Sequence, residues 1–174
     1  SIEKGNCIMK QLSIYDITEN PFSLIGKKWA MVTTRVGDKT NTMTASWGGV
    51  GILWNKPVVY IFLRPQRYTR ELVDASERFS VCFLPEDYRK QLQYCGSHSG
   101  RDEDKLAACG FTAAELDGAP VLEQSDLALT CRKLYCQRLT PDSLIDQSID
   151  QVNYPEKDYH FLYVAEILGA YEKA

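Results

Sequence analysis

Strand-like apolar patterns stand at both ends of this 174-residue chain, short helical patterns punctuate its middle, and strand and helix do not alternate regularly. A doubly wound parallel sheet needs such alternation, because each parallel strand returns through a crossover helix. The pattern therefore points to a mainly β fold, an antiparallel barrel or sandwich with short peripheral helices. Lys28 to Arg35 is rich in β-branched and aromatic residues and ends at the turn formers Gly37 and Asp38, which predicts a strand and hairpin. Asn41 to Trp47 then alternates strictly, with Met43, Ala45 and Trp47 on one face and Thr42, Thr44 and Ser46 on the other. Val58 to Leu63 reads as a buried strand, Thr69 to Glu77 as a short helix, and Phe79 to Leu84 as a strand stopped by Pro85. Helices are expected over Tyr88 to Tyr94 and Asp102 to Cys109. Two long strands are expected over Leu127 to Arg138 and Tyr159 to Ala170, joined by a polar connector with room for one helical turn.

The length suits one domain over residues 1–174, large enough to bury roughly 70% of its unfolded surface. Twenty basic residues nearly balance 23 acidic ones, so nucleic acid is not an expected partner. Apolar runs are far shorter than the roughly 20 residues that span a bilayer, and the charged N-terminal stretch does not read as a secretory signal. The six cysteines at 7, 82, 95, 109, 131 and 136 form no CxxC pair; we read them as reduced, mostly buried thiols and expect a cytoplasmic location. Two histidines without a clustered thiol or carboxylate give no metal site.

Three stretches could carry chemistry. Arg64 to Arg70 holds three arginines and no acid where a buried strand ends and a helix begins. Free helix N–H groups, the positive end of the helix dipole and guanidinium forks can converge there on a phosphate; a solvated basic turn is the bland alternative. The hydroxyl face of Thr42, Thr44 and Ser46, with Trp47 beside it, could line a polar ligand or be an ordinary strand face. Gly48, Gly49 and Gly51 would let a ligand approach the backbone, although no dinucleotide-binding glycine fingerprint exists in the chain. Ser99 to Lys105 reads either as a helix start with Ser99 as N-cap or as a ligand contact. His160 is read as a satisfied structural histidine.

Several motifs occur in order: Glu19-Asn-Pro-Phe22, Leu24-Ile-Gly26, Asn41 to Trp47, Trp54-Asn-Lys-Pro57, Arg64-Pro-Gln-Arg-Tyr-Thr69, Ser99-Gly-Arg-Asp102 with Lys105, and Asp158-Tyr-His160. Together they resemble the flavin reductase-like, flavoredoxin-type FMN proteins. One departure is Ala165 before Glu166, where relatives often carry Gly. The resemblance implies an FMN-binding split β-barrel, a homodimer, and non-covalent FMN. It places Thr42, Met43, Thr44, Ala45, Ser46 and Trp47 beside the flavin ring, and Arg64, Gln66, Arg67, Tyr68 and Thr69 at the phosphate and ribityl end. Ser99, Gly100, Arg101 and Lys105 would close the site. It implies no catalytic side chain, since the flavin carries the electrons. The donor would be NADH or NADPH, with a second acceptor beyond the flavin. A related possibility is an FMN electron carrier reduced by a redox protein.

Overall fold

A computed structural model describes the backbone of residues 2–4 and 7–174 and the side chains from Met9 onward; Cys7, one of the six expected thiols, lies outside the described side chains. Among the described residues, nine strands form one antiparallel sheet. They are β1 (Ile2–Lys4), β2 (Cys7–Leu12), β3 (Ala30–Val36), β4 (Lys39–Ala45), β5 (Gly48–Leu53), β6 (Lys56–Leu63), β7 (Arg78–Phe83), β10 (Leu127–Arg138) and β11 (Phe161–Lys173). A separate hairpin joins β8 (Ala113–Leu116) to β9 (Ala119–Leu122). The helices are short: α1 (Pro21–Ser23), which runs into a π-helical turn over Leu24–Lys28, α2 (Tyr68–Ala75), α3 (Arg89–Ser97), α4 (Lys105–Cys109) and α5 (Ser148–Asn153). None among the described residues is long and apolar enough to cross a membrane.

The sheet forks at β11. Along one edge this strand pairs with β10, while its other edge is divided, Phe161 to Glu166 pairing with β6 and Ala170 to Lys173 pairing with β2. From the fork the sheet runs one way through β6 to β5 and the other through β10, β7 and β3 to β4. Val32, Met43, Val59, Ile61, Leu63, Phe79, Val81, Leu129 and Tyr163 nevertheless meet in one core. Strands from both arms thus wrap around the same apolar interior, yet β4 and β6 share no ladder. This is the mainly β, split-barrel form that the resemblance implies, and its open seam lies between β4 and the β5–β6 hairpin. A second core, with Met31, Cys82, Leu92, Cys95, Leu106, Phe111, Leu122 and Tyr171, seats α3, α4 and the β8–β9 hairpin on the outside of the barrel.

Two local readings change. Gly48 to Leu53 is a strand, β5, rather than an open glycine stretch. Its glycines serve packing against β6: Gly48 has φ +142°, and a Cβ there would stand 2.5 Å from the Tyr60 carbonyl oxygen. The β5–β6 turn is made by Trp54 and Asn55, both at positive φ (54° and 58°), as a two-residue hairpin turn of the twist-matched kind requires. The second change concerns Ser99. Helix α4 starts at Lys105 and is capped by Asp104, whose carboxylate accepts from the Ala107 N–H at 3.1 Å, whereas Ser99 Oγ accepts only from the Arg101 N–H of a preceding turn. Asp102 and Glu103 therefore fall before the helix. Replacing Asp104 with Ala should cost about 1 kcal/mol in urea unfolding, and Ser99→Ala less than half of that.

Candidate functional site

The seam positions a cleft of about 210 Å³ lined by Met43, Thr44, Ala45, Ser46, Trp47, Phe62, Arg64, Arg67 and His160. Register explains the meeting. Gly48 pairs with Ile61, and Leu63 pairs with Phe161, so Trp47, Phe62 and His160 stand side by side at the ends of three neighbouring strands. The Trp47 and His160 rings lie 5.1 Å apart between centroids, and Phe62 meets His160 edge-on at 6.5 Å. Trp47 itself is 49% exposed, a large flat surface offered to solvent. On its other side a hollow of about 410 Å³ continues past Ser46 and Trp47 to Gly48, Gly49, Val50, Pro21, Phe22, Ile25 and Gly26.

Arg67 supplies the charge. It occupies the N-cap position of α2 in extended conformation, and no side chain caps that helix, so its first N–H groups lack a side-chain acceptor. The guanidinium reaches across to the C-terminal end of α3, donating to the carbonyls of Gly96 (2.9 Å) and Cys95 (3.3 Å). Among the described residues no carboxylate lies within ion-pair distance of it. Desolvation makes its proton easier to lose than that of a free arginine. Lys105, only 2% exposed, donates to the same Cys95 carbonyl at 2.9 Å and to the His98 carbonyl at 3.1 Å. Burial lowers its pKa to about 8, the proximity of Arg67 adding to the effect, so it is still mostly charged at pH 7. Two partly desolvated cations thus share one helix end, whose dipole offers only about half an elementary negative charge.

Arg64 is engaged differently. It pairs with Asp158 at 2.9 Å and donates to the Asn153 carbonyl at 3.1 Å, and Gln66 Nε2 donates to the same Asp158 oxygen at 2.8 Å. This links β6, the α5 segment and the start of β11 into a frame at one wall of the cleft. His160 belongs to that wall. It is 6% exposed, and burial, with Arg64 contributing next, lowers its pKa to about 4, leaving it neutral at pH 7. Its Nδ1 shares a 2.7 Å hydrogen bond with the Tyr154 hydroxyl. Its other ring nitrogen has no protein partner among the described residues.

Sequence reasoning brought Met43 to Trp47 together with Arg64 and Arg67, and the cleft contains them all. Other expected residues stand outside its lining. Thr42 is fully buried and shares a hydroxyl hydrogen bond with Thr33 at 2.9 Å, so one of the three hydroxyls of the supposed ligand-facing row is internal to the β3–β4 pair. Thr44 donates to the Leu92 carbonyl of α3, and only Ser46 of that row is free and exposed. Strand β4 ends at Ala45, so Trp47 lies beyond the strand whose alternation placed it on one face with Met43 and Ala45. Thr69 is buried and accepts from Asn41 Nδ2 at 2.9 Å. A Cβ on Gly100 would stand 2.2 Å from Asn41 Oδ1, so this glycine is fixed by the same contact. Tyr68, Gly100 and Arg101 border a different hollow with Asp38, Lys39, Thr40 and Asp102 to Asp104, and Arg101 is held by Glu71 at 2.7 Å. Of the lining residues, sequence reasoning set His160 aside and did not single out Phe62. The Asp158-Tyr-His160 motif was the available signal for His160.

Comparison with known proteins gives these residues a context. The Escherichia coli protein YddH, itself uncharacterised, is 30% identical over 99 residues, covering 55% of this chain; the chain spans about half of the length of that relative, 52%. The FMN-binding domain of a flavin reductase-like enzyme from Shewanella baltica superposes with a TM-score of 0.69 at 21% identity, covering 96% of this chain and 78% of the other. An FMN-binding protein from Thermus thermophilus, solved with bound p-hydroxybenzaldehyde, superposes with a TM-score of 0.65 at 26% identity, covering 83% and 70%. The model of the flavin reductase like domain matches residues 22–174, from α1 through the last residue, and takes in every cleft residue described above. The chain belongs to the flavin reductase-like domain family.

Proposed function

We propose that the seam cleft holds FMN non-covalently and that the chain is an oxidoreductase passing electrons from NADH or NADPH through FMN to a second acceptor. The observation that carries this reading is Arg67, a desolvated cation without a carboxylate partner at the uncapped start of α2. Such a group is stabilised by a phosphate, and family membership supplies the flavin to which that phosphate belongs. Arg67 and the first N–H groups of α2 hold the phosphate, Lys105 keeps the α3 end in place behind it, and Ser46 and Trp47 flank the ring. His160 is neutral at pH 7 and keeps a second positive charge out of the ring pocket. The flavin, when bound, supplies the hydride and one-electron chemistry. The hollow between Trp47 and Phe22 leaves room for a nicotinamide or another acceptor beside the ring.

A second copy of the chain completes this proposal. Tyr15, Phe22, Val50, Ile52 and Trp54 are 41–86% exposed on one region around α1 and β5, an apolar surface suited to burial in a homodimer. Light scattering should return twice the mass of the chain; a monomer at micromolar concentration contradicts the dimer.

The donor is tested by stopped-flow mixing of the FMN-loaded protein with NADH and, separately, NADPH. Rapid loss of the visible absorbance of bound flavin with either supports the reductase. No loss with both, alongside reduction by dithionite, supports an FMN electron carrier that a redox protein reduces.

A further inference from the structure

Two thiols meet behind the cleft. Cys95 on the buried side of α3 and Cys109, the last residue of α4, place their sulfurs 3.5 Å apart. Among the described residues no other two cysteine sulfurs are in contact. Cys95 is fully buried, and Cys109 is half-buried with access from the surface. The Cys95 carbonyl is also the acceptor shared by Arg67 and Lys105, so the thiol pair sits on the residue that anchors both cations.

We infer that Cys95 and Cys109 form an intramolecular disulfide when the protein meets hydrogen peroxide and reopen it with a dithiol. An S–S bond is about 2.05 Å long, so the sulfurs must close by roughly 1.5 Å, within reach of side-chain rotation and a small approach of two short helices. The order of attack follows from their surroundings. Burial pushes Cys95 up to about 12, its bond to Cys109 adding to the rise. Burial also raises Cys109, but the bond from Cys95 and the charge of Lys105 act to lower it. Cys109 is the more accessible sulfur and the better thiolate.

Cys109 attacks one peroxide oxygen: an S–O bond forms, the O–O bond breaks, and the departing hydroxide leaves as water with the proton that Cys109 released. Cys95 then attacks the sulfenic sulfur. The S–S bond forms, the S–O bond breaks, and the second hydroxide leaves as water with the Cys95 proton. Two electrons pass from the sulfurs to the peroxide, which is reduced to two waters. The bridge ties α3 to α4 and fixes the loop between them, which holds Ser99, Gly100 and Arg101.

The test treats the full chain with hydrogen peroxide, quenches with catalase, and maps non-reduced peptides by mass spectrometry. Expected are a loss of two hydrogens in intact mass, a cross-linked pair of peptides carrying Cys95 and Cys109, and reversal by dithiothreitol. The oxidised protein should melt about 5–10 °C higher than the reduced one. Cys109→Ser should abolish the cross-link. Oxidation confined to the exposed Cys136, bridges only between chains, or a peptide map without the Cys95–Cys109 link overturns the inference. The map is made on the wild-type chain, so its result stands even where a variant fails to fold.

Discussion

Arg67→Ala is expected to weaken FMN binding by about 1.5–3 kcal/mol, a rise in Kd of roughly 10- to 150-fold, as for the loss of a hydrogen bond to a charged group. Isothermal titration with FMN and with riboflavin measures it. Riboflavin lacks the phosphate, so it should bind the wild type more weakly and respond little to the substitution. Arg64→Ala should cost less, because Asp158 and the Asn153 carbonyl already engage that guanidinium. The two arginines are equivalent in the sequence motif and distinct in the fold. Arg67 donates only to main-chain carbonyls at the end of α3 and keeps its full charge for a ligand. Stability should change by only about 1 kcal/mol in Arg67→Ala, because the Cys95 carbonyl keeps Lys105 and Gly96 is open to water. Unchanged FMN affinity in this variant removes Arg67 from the site.

The second large effect is a loss of stability in acid that His160 causes. The folded pKa, about 4, lies below the ordinary histidine value of 6.5, so between these limits the unfolded chain binds the extra proton. Stability from this group is complete above pH 6.5 and is lost as pH falls toward 4. The full difference is about 3–4 kcal/mol, which is large against the 5–15 kcal/mol that stabilises a typical domain. Urea unfolding of the wild type and of His160→Gln across this window isolates it, since carboxylates titrate in both proteins. The wild type should lose about 2–3 kcal/mol more than the variant over that range. Parallel curves contradict a buried neutral His160.

Much of the fold was legible because it rests on local patterns. Leu127 to Arg138 came out with the boundaries that β10 has, and the β3–β4 hairpin was marked by Gly37 and Asp38. Strand β5 was hidden because Gly-Gly-Val-Gly opposes strand propensity; what makes it a strand is pairing with β6 and the close approach to Tyr60. The β8–β9 hairpin did carry a readable signal in Asp117-Gly118, both at positive φ, between short apolar runs. Its alanines and Pro120 masked it.

The site was legible in outline for the same reason. Arg64 to Thr69 announced a strand end followed by a helix start, and that junction is where α2 begins. Which of its side chains face the cleft depends on tertiary pairs the sequence does not show. Thr69 turns to Asn41, Gln66 to Asp158, and Thr42 to Thr33. Those contacts join segments far apart in the chain, or lie across a ladder whose two faces looked alike. His160 entered the cleft through the register of β11 on β6, which brings it beside Trp47 although 113 positions separate them.

A flavin site at the seam between β4 and the β5–β6 hairpin is tested most directly by titrating the purified chain with FMN. The titration is followed through the visible absorption bands of the flavin and the fluorescence of the exposed Trp47. A saturable shift of the bands with quenching of tryptophan emission is expected, strong with FMN, weaker with riboflavin, and reduced in Arg67→Ala. Flavin bands and tryptophan emission that stay unchanged beyond simple absorption by added FMN contradict a flavin site at the seam.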